Sequence, residues 1–206
     1  MRITVFGAAG RTGRLVLREG RKRGHEMTAF TRQPEGAFGA DEAGLASIVR
    51  GDGRDPAAVR AAMGSADAVI AIVAAPGRKG PHETADVLKV ITSEMTGLGV
   101  RRIVMTSAYP IVGDRPRLPI AVIRRVFAAS YADAAQAGRI VQSSGLDWTI
   151  AYLNRLTDKP ATGRARVSTE LFSRPTSVSR ADVAAILLDT AQDPARAGTA
   201  INVCGP

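Results

Sequence analysis

Residues 2–13 read Arg2-Ile3-Thr4-Val5-Phe6-Gly7-Ala8-Ala9-Gly10-Arg11-Thr12-Gly13, an alternating, β-branched run that stops at a cluster of glycines. The run predicts a strand from Met1 to Phe6. Leu15, Val16 and, less regularly, Leu17 among charged neighbours predict a helix from Arg11 to Arg23 that ends near Gly24. Glu26 to Phe30 reads as a second strand, so strand, turn, helix and strand fit into about 30 residues, the length of one βαβ unit. Each glycine of such a turn has its own use. The first permits the tight bend, the next lets backbone approach a diphosphate, and the third lets the helix pack on the strand. Unpaired N–H groups and the positive end of the helix dipole then hold phosphate. The spacing here is G-x-x-G-x-x-G, in the strand-to-helix context that gives a glycine trio meaning.

The pattern repeats downstream. Pro34 to Leu45 reads as a loop, Ser47 to Arg50 as a short strand, and Asp55-Pro56 as the start of a helix running to Met63. Ala68 to Val73 is a continuous apolar run, as in a strand buried on both faces of a parallel sheet. After a loop from Pro76 to Pro81 comes a helix from Glu83 to Leu98, then a strand from Arg102 to Met105. Tyr109 to Pro119 reads as a proline-rich loop, Ile120 to Ser144 as a helix of uncertain limits, and Trp148 to Tyr152 as a strand. Asn154 to Val178 breaks into short polar pieces before a helix opens at Arg180-Ala181-Asp182 and runs to Ala191. Ala200 to Val203 is a last strand. Alternating strands and helices predict an α/β fold, a Rossmann-like doubly wound parallel sheet with helices on both faces. We expect one domain over 1–206, with 1–153 as a dinucleotide-binding core. The irregular region 154–206 would supply substrate-side and closing elements.

Cofactor choice is readable after the second strand. An NAD site normally places Asp or Glu there for the ribose hydroxyls. This chain has Thr31-Arg32 and no carboxylate before Glu35. A guanidinium at Arg32 pairs with the 2′-phosphate of NADPH, which a carboxylate would repel. Arg11 offers a second cation. NADPH (NADP) is therefore the expected cofactor.

Bulk composition sets the outer bounds. The chain has 206 residues, 45% hydrophobic and 23% charged, with a net charge of +9. The basic residues are scattered and aromatics make up only 4%, which argues against nucleic-acid binding. No apolar run reaches about 18 residues, so no membrane partner is expected. A single cysteine, Cys204, and no signal-peptide pattern point to the cytoplasm. Cys204 reads as a small core residue of the final strand. Neither His/Cys nor carboxylate clusters stand at ligand spacing, so no metal is expected. His25 reads as a solvated turn residue, and His82 as a loop residue that could approach the site.

The series Val5 to Gly13, Thr31-Arg32, Gly51-Asp52, Asp67 to Ile70, Thr106-Ser107-Ala108, Ser144 to Ile150, Leu156-Thr157-Asp158 and Ser179 to Ala184 resembles the atypical short-chain dehydrogenase/reductases of the NAD(P)H-binding type. It is most similar in kind to the biliverdin-IXβ reductase/flavin reductase group. The resemblance implies that Gly7, Ala9, Gly10, Arg11, Thr12 and Gly13 line the pyrophosphate and that Arg32 meets the adenosine phosphate. It implies Asp52 at the adenine, Ala74, Ala75 and Pro76 at the nicotinamide ribose, and Ser107 near the nicotinamide ring.

Two departures shape the chemistry. Ordinary members use Tyr-x-x-x-Lys to move a proton, but Gly113, Ala135 and Leu156 stand four residues after Tyr109, Tyr131 and Tyr152. The flavin reductase group has a histidine after the sixth strand, where this chain has Leu153-Asn154-Arg155. Reduction of an isolated carbonyl needs a placed acid, whereas a conjugated ring spreads the incoming charge and takes its proton later from solvent. The expected function is therefore an NADPH-dependent reductase of a planar conjugated acceptor such as a flavin or quinone. Ser107 and Tyr109 are the candidate catalytic residues, and Tyr109, Asn154 and Arg155 the candidate substrate wall. A same-fold ketoreductase or isomerase of a specialised metabolite, or a non-catalytic NADP sensor of the NmrA-like kind, stays open. A monomer or weak homodimer is expected.

Overall fold

A computed structural model describes residues 1–33, 38, 47–73 and 80–206. Its centre is β1 (Arg2–Phe6), hydrogen-bonded in parallel to β2 (Glu26–Thr31) on one side and to β4 (Ala68–Ala71) on the other. With β3 (Ser47–Arg50), β5 (Arg102–Ala108), β6 (Asp147–Leu153), β8 (Arg166–Ser168) and β10 (Thr199–Cys204), these form an eight-stranded sheet in the order β3-β2-β1-β4-β5-β6-β10-β8. Every pairing is parallel except β8 against β10. The chain reverses its direction of growth between β1 and β4, the switch point where such sheets bind ligands at strand carboxyl ends.

Period-two alternation sorts the core into two layers. Ile3 and Val5 of β1 join Met27, Ala29, Ile70 and Val104 on one face. There they meet Val16 and Leu17 of α1 (Arg11–Lys22) and Leu187 and Leu188 of α6 (Arg180–Gln192). Phe6 points the other way and packs on Phe30 with ring centroids 4.8 Å apart. That face is covered by α2 (Pro56–Met63), α3 (Thr84–Leu98) and α5 (Ala128–Gln142). The strands are apolar on both sides because both sides are covered. Cys204 is buried in β10, as its position in the final strand suggested.

Several boundaries differ from the sequence expectation. β4 ends at Ala71 rather than Val73, and β5 runs on to Ala108. Most of the loop expected over 34–45, and residues 76–79 of the loop expected over 76–81, fall outside the described residues. The single helix expected from Ile120 to Ser144 is two. After a 3-10 turn at Tyr109–Ile111, α4 (Arg117–Val126) precedes α5, and the break falls at Phe127 with φ −113° and ψ 26°. Pro119 does not stop α4, because it sits in the first turn, where its missing N–H costs no helical bond. The polar stretch after Leu153 also hides strands. β7 (Leu156–Thr157) pairs in parallel with β9 (Val178–Ser179), and β8 extends the main sheet. His25 is not solvated. It is 7% exposed, with Nδ1 3.5 Å from the amino-terminal nitrogen, and burial, then the nearby positive charges, push its pKa down.

The irregular segment is anchored by one carboxylate. Ser179 caps α6 by accepting from the Asp182 N–H, and its hydroxyl donates back to Asp182 Oδ2 at 2.8 Å. The same carboxylate accepts from the N–H groups of Thr162 and Gly163 at 2.8–3.1 Å and from the Thr162 hydroxyl. Burial alone would raise the pKa of Asp182, but the hydrogen bonds from Ser179, Thr162 and Gly163 outweigh it and hold the group ionised below its ordinary value. Asp182→Asn is expected to cost about 2–3 kcal/mol and to lower Tm by about 4–10 °C. The sign with pH follows from the lowered folded-state pKa. The wild type has the full stabilisation above the ordinary carboxylate value of roughly 4 and loses it as pH falls through the depressed value. Denaturant melts at pH 7 and in the acid range should show the gap between the two proteins narrowing on acidification.

Candidate dinucleotide site

Gly7 ends β1 with φ +77°, and a Cβ there would lie 2.2 Å from the Ile72 carbonyl oxygen at the exit of β4. A Cβ on Gly13 would lie 2.4 Å from the Gly7 oxygen and 2.7 Å from that of Ala8. These two glycines are therefore required by crowding within the protein. Gly10 is different: a Cβ there would meet only the Gly7 oxygen, at 3.2 Å. The middle glycine is the least crowded of the three, so crowding alone does not require it.

Gly10 is also the N-cap of α1, and no side chain caps it. The first helical bond runs from Arg14 N to Gly10 O, so the N–H groups of Arg11, Thr12 and Gly13 precede the ladder. The first turn contains no acidic residue. Three donors with no partner among the described residues and a positive dipole end, reached past a residue without a side chain, fit the diphosphate of a dinucleotide. Ala9 lines the same turn, and its carbonyl accepts from Arg14 Nε at 3.1 Å.

The residues expected at the adenosine are Arg32 and Asp52. Arg32 is exposed just past β2 and has no hydrogen bond or ion pair among the described residues. Asp52 follows β3. Its carboxylate accepts from the side chain and backbone N–H of Arg54 at 2.7–3.0 Å, and Arg54 also reaches Glu83 at 2.6 Å. Those hydrogen bonds, helped by the charge of Arg54 and more weakly of Arg32, lower the Asp52 pKa to about 2. Asp52 is thus a fixed anion, oriented by Arg54 on the same side of the sheet edge as Arg32.

At the other end, Ser107 lies half-buried near the end of β5, in register with Tyr152 of β6. Paired residues of neighbouring strands share a face, so Ser107 and Tyr152 stand together. Sequence reasoning missed Tyr152. Its signal was its place two residues before Asn154 on the face shared with Ile150. Burial raises the Tyr152 pKa. Tyr109 behaves otherwise: it is 2% exposed, and Gly113 packs so closely on its ring that a Cβ there would lie 2.1 Å from Cζ. Burial raises its pKa too. Asn154 is engaged in the fold, with Nδ2 donating to Thr176 O at 2.9 Å and Oδ1 accepting from Arg155 N at 2.8 Å. Arg155 is exposed beside it. His82 is half-buried before α3, and its Nδ1 has no partner among the described residues. Ala74, Ala75 and Pro76 lie outside the described residues.

Arg11 is not aimed at the adenosine. It pairs with Asp158 at 2.9 Å, and Asp158 pairs with Arg180 at 2.6 Å, which links the glycine turn to the loop after β7 and the start of α6. Together with Arg14, Arg18 and Lys159 these residues line a cavity of about 450 Å³. No local pattern could have joined residues 147 positions apart. Among the described residues there is no group of metal-ligating side chains and no helix long and apolar enough to cross a membrane.

Comparison with known proteins agrees with this geometry. The model of the NAD(P)H-binding family matches residues 7–194. A protein of Bacillus subtilis (strain 168), named an uncharacterized sugar epimerase, YhfK, is 28% identical over 190 residues, spanning 89% of this chain and 85% of that protein. Among solved structures, a wide-type short-chain dehydrogenase/reductase from Veillonella parvula DSM 2008 in complex with NADP superposes with a TM-score of 0.87. It is 20% identical, over all of this chain and 94% of that one. ChuY, an anaerobillin reductase from Escherichia coli O157:H7, gives a TM-score of 0.81 at 22% identity, over all of this chain and 98% of that one. The family match begins at the first glycine of the turn and runs past α6, and the uncapped helix start fits the ligand that the family binds. The chain belongs to the NAD(P)H-binding family.

Proposed function

We propose that the protein is an NADPH-dependent reductase that passes hydride to a planar conjugated acceptor, such as a flavin or quinone. The observation that carries this reading is the pairing of Ser107 with Tyr152 at the carboxyl ends of β5 and β6, with no lysine four residues after the tyrosine. Bound NADPH supplies the hydride. The Arg11, Thr12 and Gly13 N–H groups hold its phosphates, and Arg32 selects the phosphorylated adenosine. Ser107 donates a hydrogen bond that orients the reacting ring. Tyr152, kept protonated by burial, stands ready to donate to an acceptor oxygen or nitrogen. Without a lysine beside it, Tyr152 is a poor general base, which disfavours alcohol oxidation and suits acceptors that spread charge over a ring. Tyr109 contributes packing beneath this wall, and Arg155 an exposed cation at its rim.

The relative named an epimerase supports one competing reading, in which hydride leaves and returns with no net cofactor oxidation. A panel of flavins, quinones and ketones followed by NADPH absorbance separates the two. Oxidation with flavin or quinone is expected. Dinucleotide binding without oxidation by any acceptor would instead favour the isomerase or a sensor.

Two substitutions test the cofactor contacts. Arg32→Ala should raise KM for NADPH about 10–100-fold and leave KM for NADH nearly unchanged; equal effects on both would sink the role of Arg32. Gly10→Ala should fold, since its Cβ meets only one oxygen, yet weaken NADPH binding at least about tenfold by calorimetry, because the methyl group occupies the phosphate approach.

A further inference from the structure

The dinucleotide site makes no use of the outer surface of α4. Of its residues only Ile120 is buried. Leu118 is 81% exposed, Val122 61%, Val126 40% and Ile123 38%. At 3.6 residues per turn, Leu118, Val122 and Val126 form one ridge, and Pro119 and Ile123 widen it to an arc of roughly 140°. Ile120 and Arg124 lie on the opposite side. There Arg124 donates to the carbonyls of Pro110 and Gly113 at 2.6 and 3.0 Å and pins the helix to the turn after β5. The ridge therefore points away from the protein.

The charge around the ridge is mainly positive, with exposed Asp114 the acidic residue next to it in the chain. Arg115, Arg117 and Arg125 are exposed, and none has an ion pair among the described residues. Residues 115–132 contain no Asp or Glu. A contiguous exposed apolar surface of this kind marks a contact, and the charge decides what the contact is. A second copy, docked symmetrically, would set like arginines against each other. An apolar arc bordered by cations, on a helix of low overall hydrophobicity, is instead the composition of helices that lie flat in the interface of an anionic membrane.

We propose that α4 seats the protein on an anionic lipid surface, with Leu118, Val122, Ile123 and Val126 in the acyl boundary and Arg115, Arg117 and Arg125 at the headgroups. The sequence expectation of no membrane partner rested on the lack of a long apolar run, which bears on helices that span and not on one that lies flat. Arg124 holds α4 to the turn that follows β5, the strand that carries Ser107, so a lipid-soluble acceptor would arrive at the same end of the sheet as the site. That last point rests on the reductase reading; the docking does not.

The test is co-sedimentation with vesicles of phosphatidylcholine containing phosphatidylglycerol, against vesicles of phosphatidylcholine alone. The protein is expected to pellet with the anionic vesicles only, less as salt rises. Arg115→Gln/Arg117→Gln/Arg125→Gln should weaken binding about a hundredfold, and Leu118→Ser/Val122→Ser should abolish it. Both variants should keep the wild-type Tm and NADPH affinity. Failure to pellet, equal pelleting with neutral vesicles, or pelleting unaffected by both variants would overturn the proposal. Binding to poly-glutamate without binding to vesicles would overturn it in favour of an acidic protein partner. A Leu118→Ser/Val122→Ser-sensitive dimer in ultracentrifugation, without vesicle binding, would overturn it in favour of a second copy. Unchanged oxidation of NADPH by a soluble acceptor would separate failure of docking from failure of the reductase reading.

Discussion

The closeness of β1 and β4 where they leave the sheet is the constraint on which the rest depends. The Ile72 carbonyl stands so near Gly7 that no side chain can exist there. The chain must therefore turn in a left-handed conformation and enter α1 at once. The third glycine lets that helix lie directly on the turn. What remains is a helix start whose first donors have no partner among the described residues, at the place where the sheet reverses its order. The packing requirement and the binding requirement are met by the same few atoms. Changes that relieve the crowding would also remove the donors' orientation.

The other end of the site is assembled by long-range polar contacts. Asp182 gathers Ser179, Thr162 and Gly163, while Asp158 bridges Arg11 and Arg180. The two differ in worth. Asp182 is 5% exposed, and its hydrogen bonds must compensate a desolvated charge. The Arg11–Asp158 pair is largely exposed, and such pairs contribute between about 0 and 1 kcal/mol. The first holds the segment in place, and the second adjusts it. Arg102 is a third kind of link, at the opposite edge of the sheet. Its buried guanidinium donates to Asp147 O, Thr149 Oγ1 and Thr190 O, and ties β5 to β6 and to the end of α6.

What could be read from sequence was local. Strand, turn and helix around Gly7 to Gly13 are contiguous, and each residue choice has a single cause. Arg32 is legible because its neighbours on β2 fix the place of the next residue. The division of α4 from α5 was not legible, since Phe127 at the break is neither proline nor glycine. β7, β8 and β9 are too short for alternation to register. Tyr109 and Tyr152 look alike in sequence. Only the close approach of Gly113 shows how tightly the first is packed, and only the β5–β6 register shows that the second stands by Ser107. His25 looked like a turn residue and is buried, with the amino-terminal nitrogen 3.5 Å from its Nδ1.

Burial of Val16 and Leu17 against Leu187 and Leu188 has a consequence for how the molecule is made. The helix that carries the phosphate-binding turn is covered by the last helix of the chain, more than 150 positions away. Until residue 192 has left the ribosome, the inner side of α1 faces water, however complete the first βαβ unit is. Such a chain folds its earliest motif early and stabilises it late. A truncation after β6, which the sequence alone marks as a natural boundary, exposes an apolar surface under the site it was meant to preserve.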